Sequence, residues 1–298
     1  AEVTGEEKQE GSQSLKVTNR SDTWHGAQLD VKNRLFKGAK YEISAYVKLA
    51  VTPEIPSEVK MTMERQFDGE ETGYDTVAQT NISDTEWTQL RGTYSFDKDA
   101  QSMYLYIESS NENDEFYIDY VVIRMTEAPK IDQLYDFEDD TEGWQARIGN
   151  ETVALAEEAN HTEGGSQGLS VTVTGQYEGA RLDIAPGTMF PYHEYALSVW
   201  VKMAPGQPDS NLRISIQNND SFTNVSTTER IGQEWVQLTG NYTLRNQPDI
   251  FNMYVEIADG GFSEPRTFYM DDFRLTYVGP AEGPLPIQED LPSLKDVY

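Results

Sequence analysis

Four blocks of this chain occur twice in the same order. YEISAYVKLA (41–50) matches YALSVWVKMA (195–204), EWTQLRGTYSF (86–96) matches EWVQLTGNYTL (234–244), MYLYIE (103–108) matches FNMYVE (251–256), and FYIDYVVI (116–123) matches FYMDDFRL (268–275). A fixed offset of about 150 residues means one fold duplicated, so each copy must bury its own core. Within the blocks the apolar residues alternate: Ile43, Ala45, Val47 and Leu49 share one face, with Ser44 and Lys48 on the other. That is the period of a half-buried strand, not of a helix. Such runs, separated by turn-forming clusters such as TPEIPSE, DGEETG and APGQPDSN, predict an all-β chain of two β-sandwich (jelly-roll) modules in tandem, each of roughly 130 residues.

The boundary is expected where YVVIRM gives way to the polar, proline-containing TEAPKIDQ. Module one is read as residues 1–126, a short linker as 127–132, module two as 133–278, and a Pro/Gly-rich linker leading into the apolar spacing of a helix start as 279–298. Module two opens with LYDFEDDTEGWQARIGN, and nothing comparable stands before the first residues of module one. Module one is therefore expected to lack its first strand and the loop after it.

Charge and composition narrow the partners. With 51 acidic residues against 23 basic ones the formal charge is -28, which repels phosphate backbones and anionic lipid, so nucleic acid is not an expected partner. No run approaches the roughly 20 apolar residues of a membrane-spanning helix, and no membrane partner is expected. The absence of cysteine removes thiolate metal sites and cysteine nucleophiles. There is no phosphate-binding glycine loop, nucleophile elbow or HExxH pattern, and each polar face offers one clear carboxylate where a glycosidase needs two. The expectation is a non-catalytic segment.

The polar faces carry the functional signal. In WHGAQLDV the apolar Ala27, Leu29 and Val31 define the core side, placing Trp24, Gly26 and Gln28 opposite; in MYLYIE, Tyr104, Tyr106 and Glu108 stand away from Leu105 and Ile107. Tyr74, in the turn-rich GEETGYDTV, rises beside them, and Arg20 closes the preceding SLKVTNR run. A solvent-facing sheet with Trp, several Tyr and a carboxylate suits a sugar: pyranose rings stack their CH faces on aromatic planes while carboxylates and amides orient the hydroxyls. The same aromatics would also serve a protein-binding or cell-surface adhesion sandwich.

TWHGAQLD after SLKVTNR, the Y-x-Y-x-E pattern and the closing FYIDYV resemble carbohydrate-binding module family 22, over residues 1 to about 126 and, more loosely, 133–278. The resemblance implies binding of xylan, and leaves mixed-linkage β-glucan as an alternative ligand. It places cleft residues at Trp24, Tyr74, Tyr104, Tyr106 and Glu108, and in module two at Arg147, Tyr177, Phe222, Asn252, Tyr254 and Glu256, with Arg181 on the same face as Tyr177. Module two departs from the pattern, since Tyr177 replaces Trp24 and Asn252 replaces Tyr104, so a weaker or differently selective cleft is expected. LPSLKDVY resembles the entry to a glycoside hydrolase family 10 catalytic barrel, which implies a secreted, extracellular, monomeric xylanase as parent, kept at its substrate by the two modules acting with avidity. The family also implies a structural calcium ion. Glu138, Asp271 and Glu163 are the expected ligands in module two and Asp119 is the counterpart of Asp271 in module one, with hard oxygens as calcium prefers.

Overall fold

A computed structural model describes residues 1–52 and 57–281, and the expected helix start in LPSLKDVY lies outside the described residues. The chain divides into two compact units, Ala1–Pro129 and a second beginning at Lys130. Among the described residues all regular structure is strand, apart from one turn of 3-10 helix at Glu157–Ala159.

The first unit runs β1 (Glu2–Thr4), β2 (Ser14–Val17), β3 (Gly26–Asp30), β4 (Lys40–Leu49), β5 (Ser57–Phe67), β6 (Gly73–Ile82), β7 (Thr88–Ser95), β8 (Ala100–Ser109) and β9 (Phe116–Glu127). These form two antiparallel sheets, ordered β1-β2-β9-β4-β7 and β3-β8-β5-β6. The second unit runs β10 (Asp132–Tyr135), β11 (Gln145–Ala146), β12 (Thr152–Ala156), β13 (Gly168–Val173), β14 (Gly179–Asp183), β15 (His193–Met203), β16 (Ser210–Asn218), β17 (Ser221–Asn224), β18 (Glu229–Ile231), β19 (Val236–Thr243), β20 (Phe251–Ile257) and β21 (Arg266–Pro280). Its sheets are ordered β12-β13-β21-β15-β19, with β10 also on β21, and β11-β14-β20-β16-β17, with β18 on β16. The all-β expectation is met. β10 and β11 come from DQLYDFEDDTEGWQAR, a segment with no counterpart among the strands described in the first unit.

Alternation decides which side of each strand is core. Ile43, Ala45, Val47 and Leu49 are buried together with Met61, Met63, Leu105 and Ile107 from the facing sheet. Leu197, Val199, Val201, Ile214, Ile216, Met253 and Val255 repeat this in the second unit. The outward faces of β8 and β20 are thereby fixed, because a register slip of one residue would turn every core side chain to solvent.

A shared latch ties the loop before β2 or β13 to the last strand. Asp119 Oδ2 accepts the backbone N–H groups of Gln9 (2.6 Å) and Glu10 (3.0 Å), and its Oδ1 that of Tyr120 (2.7 Å). Asp271 does the same with His161 (2.6 Å), Thr162 (3.0 Å) and Asp272 (2.8 Å). Tyr120 and Asp272 both have positive φ, 47° and 48°, and each latch lies at a register shift between the last strand and β4 or β15. A carboxylate accepting three N–H groups holds that left-handed residue against its steric cost.

Candidate carbohydrate-binding faces

In the first unit β3, β8, β5 and β6 line up the candidate residues. Gly26, Gln28 and Asp30 oppose Glu108, Tyr106 and Tyr104. On the other side of β8 the same three face Lys60, Thr62 and Glu64, and Glu64 opposes Tyr74 on β6. Three interstrand steps of about 4.8 Å give a shelf roughly 14 Å across. Its flanks are the most exposed aromatics of the unit, Trp24 at 64% and Tyr74 at 66%, while Tyr104, Tyr106 and Glu108 between them are half-buried.

Gly26 makes the close approach of β3 to β8 possible, since a Cβ there would stand 2.1 Å from the carbonyl oxygen of Ile107; Gly179 repeats this against Val255, at 1.9 Å. Trp24 itself precedes the strand. It sits in the turn at 22–24, so its exposure comes from that turn rather than from strand alternation.

Arg20 holds the turn in place. Its guanidinium donates to the carbonyls of His25 (2.6 Å), Thr23 (2.9 Å) and Ser109 (2.6 Å), and to that of Asn111, while the His25 ring meets Trp24 edge-on at 4.2 Å. Arg20, expected as a ligand contact, has its donors engaged by backbone carbonyls and holds the turn that carries Trp24. On the shelf, Thr62 donates to Glu108 Oε1 at 2.9 Å. Burial and then a hydrogen bond to Glu64 push the Tyr106 phenol up to about 12, so it stays neutral at working pH. Thr62, Glu64 and Lys60 were not among the expected site residues, although the alternation of SEVKMTMERQF separates them from Val59, Met61 and Met63.

The second unit keeps the register and changes the surface. Gly179, Arg181 and Asp183 oppose Glu256, Tyr254 and Asn252, which face Arg213, Ser215 and Gln217; Gln217 in turn opposes Phe222, so Phe222 holds the place of Tyr74. Phe222 and Tyr177 are exposed. Tyr254, by contrast, is only 1% exposed, because the Arg147 guanidinium lies 3.9 Å over its ring. Glu256 is equally buried: it pairs with Arg147 and with Arg213 (2.8 Å) and accepts the Ser215 hydroxyl (2.8 Å). Arg213 also reaches over the Tyr177 ring at 5.3 Å. Tyr254, expected as a cleft residue, is thus on the predicted face but covered by Arg147. Alternation gives the face of a side chain, not what a long neighbour lays over it.

The expected metal ligands do not assemble as a set. Asp119 and Asp271 are committed to their latches, Glu163 is exposed, and no group of three or more His, Asp or Glu able to hold a metal gathers among the described residues. Glu138 does fit a hard cation. Its Oε2 accepts the Ser166 N–H (2.7 Å) and hydroxyl (2.8 Å), holding its carboxyl below the usual range, whereas its Oε1 is buried without a hydrogen-bond partner. Asn160 Oδ1 is bare in the same way, and a Cβ on Gly165 would lie 2.2 Å from the first oxygen and 2.9 Å from the second. Two bare oxygens converge over a glycine, one of them from Asn160, which was absent from the expected ligands.

Comparison with known proteins gives these faces a context. A family described as "Carbohydrate binding domain" matches residues 1–114 and 133–261, one match in each repeat. Endo-1,4-beta-xylanase A of Thermoanaerobacterium saccharolyticum is 27% identical over 97% of this chain and 25% of its own length; Endo-1,4-beta-xylanase A of Thermotoga maritima is 32% identical over 97% and 28%. The chain thus spans little more than a quarter of these relatives. Among solved structures, the N-terminal CBM22-1-CBM22-2 tandem domain from Paenibacillus barcinonensis Xyn10C is 26% identical, with 93% of this chain and 90% of that one covered and a TM-score of 0.44. The matched domain is a binding domain, in keeping with the expected non-catalytic segment. Its occurrence in both repeats bears out the resemblance read from the sequence: the chain belongs to the carbohydrate-binding domain family and carries that domain twice.

Proposed function

We propose that this chain binds xylan and xylo-oligosaccharides, with the first unit's shelf as the open site. The observation that carries this reading is the pairing of Trp24 and Tyr74, both about two-thirds exposed, across a sheet face that presents Tyr104, Tyr106, Gln28 and Glu108. Exposed aromatics flanking fixed hydrogen-bonding groups match the CH face and hydroxyls of a pyranose chain. Similarity to xylanases supports xylan as the polymer, and we read the chain as part of a secreted parent protein in which it keeps a linked catalytic domain near hemicellulose. Titration with soluble xylan tests the reading: tight binding that weakens about thirtyfold in Trp24→Ala with the thermal melt unchanged supports it, and unaltered tight binding refutes it. Mixed-linkage β-glucan is the competing ligand in that experiment. A protein partner is the reading left if neither polymer binds.

We further propose that Glu138 Oε1 and Asn160 Oδ1 hold a structural calcium ion in the second unit. The support is the pair of bare, buried oxygens over Gly165, the hard donors calcium selects. Bound there, the ion would tie the segment before β11 to the loop before β13.

A further inference from the structure

The second unit offers a recess where the first presents a ring. Asn252 occupies the position of Tyr104: each opposes an aspartate on the adjoining strand, Asp183 or Asp30. Beside Asn252 lies a cavity of about 390 Å³, walled by Ile184, Pro186 and Met189 and edged by Arg181, Asp183 and Asp249. Liquid water filling it would amount to about a dozen molecules at ~30 Å³ each, enough room for one monosaccharide.

Two features mark the cavity as built for a ligand. Asn252 is only 4% exposed and its Oδ1 has no hydrogen-bond partner. Arg181 Nε is buried and likewise without a hydrogen bond; it lies 3.1 Å from Asp183 Oδ1, but misaligned. Buried polar groups are normally paired, so the bare Asn252 Oδ1 on this cavity calls for a hydrogen-bond donor in its occupant, beside an Arg181 already ion-paired to Asp183. Charge narrows its type: one guanidinium stands against the carboxylates of Asp183 and Asp249, which disfavours an anion. A neutral ring with several hydroxyls meets both demands, placing CH groups on the apolar wall and hydroxyls on the polar rim.

We propose that this cavity receives a neutral pentosyl side branch of a xylan backbone lying in the second unit's cleft. The proposal rests on the xylan reading above. It makes the two units selective for different parts of one polymer class, unbranched stretches for the first and branched ones for the second.

The test is calorimetric titration of the full chain carrying Trp24→Ala, so that the first unit's binding does not mask the second's. The ligands are linear xylohexaose, the same backbone with one arabinofuranosyl branch, and the same backbone with one glucuronosyl branch. The arabinosyl ligand is expected to bind about tenfold tighter than the linear one, and the glucuronosyl ligand no tighter. Asn252→Tyr, which restores the first unit's ring, and Arg181→Gln, which installs the residue found at Gln28, should each bring the arabinosyl-to-linear ratio to about one. Arg181→Gln keeps the test decisive if the buried Asn252→Tyr does not fold. Equal binding of branched and linear ligands overturns the proposal, as do a preference for the acidic branch, no binding to the Trp24→Ala chain, and a preference that survives both variants. Failure of the unmutated chain to bind linear xylohexaose would overturn the xylan reading, and is seen separately.

Discussion

Trp24 shows how far one residue can be read from its neighbours. Its exposure is legible in SDTWHGAQLD because nothing around it is apolar enough to cover an indole, yet the cause is a turn, pinned by a guanidinium from four residues earlier. Arg20 was not legible in that role, since its acceptors Ser109 and Asn111 are remote in sequence and are backbone carbonyls, which sequence patterns do not display. Truncating Trp24 to Ala removes area that is already in solvent, so the melt should hold while xylan affinity falls by about 2 kcal/mol, roughly thirtyfold. Arg20→Ala should differ. It strands several part-buried carbonyls and frees the turn, costing about 2 kcal/mol of stability and weakening binding together. Denaturant unfolding alongside titration separates the two variants; equal melts for both would contradict the assigned division of labour.

At the scale of elements, alternation carried most of the fold. The core faces of β4, β8, β15 and β20 follow from period-two patterns, and with them the outward row Tyr104, Tyr106, Glu108. What alternation leaves out is the reach of long side chains across strands: Arg147 on Tyr254 and Arg213 on Glu256 come from neighbours whose pairing only the fold establishes. The aspartate latches were obscured for the same reason. In the sequence Asp271 looks like a free hard ligand; in the fold its oxygens are taken by backbone N–H groups. Strand contact also sets a steric limit that can be measured. Gly26→Ala and Gly179→Ala each drive a methyl into a carbonyl oxygen, and should destabilise their own unit by about 1–3 kcal/mol. For the cation cradle, chelator should lower the second unit's melting transition only, and Asn160→Ala should abolish that shift; a chelator-insensitive melt would remove the calcium proposal.

For the whole molecule, duplication has yielded two faces of one architecture with different chemistry: an open aromatic shelf in the first unit, and in the second an arginine-covered tyrosine beside a polar-rimmed cavity. The net charge of -28 makes a neutral polymer the natural partner, because no counterions are exchanged and no like charge is approached. Xylan affinity should therefore change less than about twofold between dilute buffer and molar salt, where surface electrostatics are screened within ~3 Å. A steep salt dependence would instead point to charged groups on the ligand. The most direct measurement is calorimetric titration of the intact chain and of its Trp24→Ala variant with xylohexaose, each with a matched thermal melt. The variant is expected to melt as the parent does and to lose the tight binding of the first unit. An intact xylohexaose isotherm in the variant, or a first unit that unfolds when Trp24 is removed, would contradict this expectation.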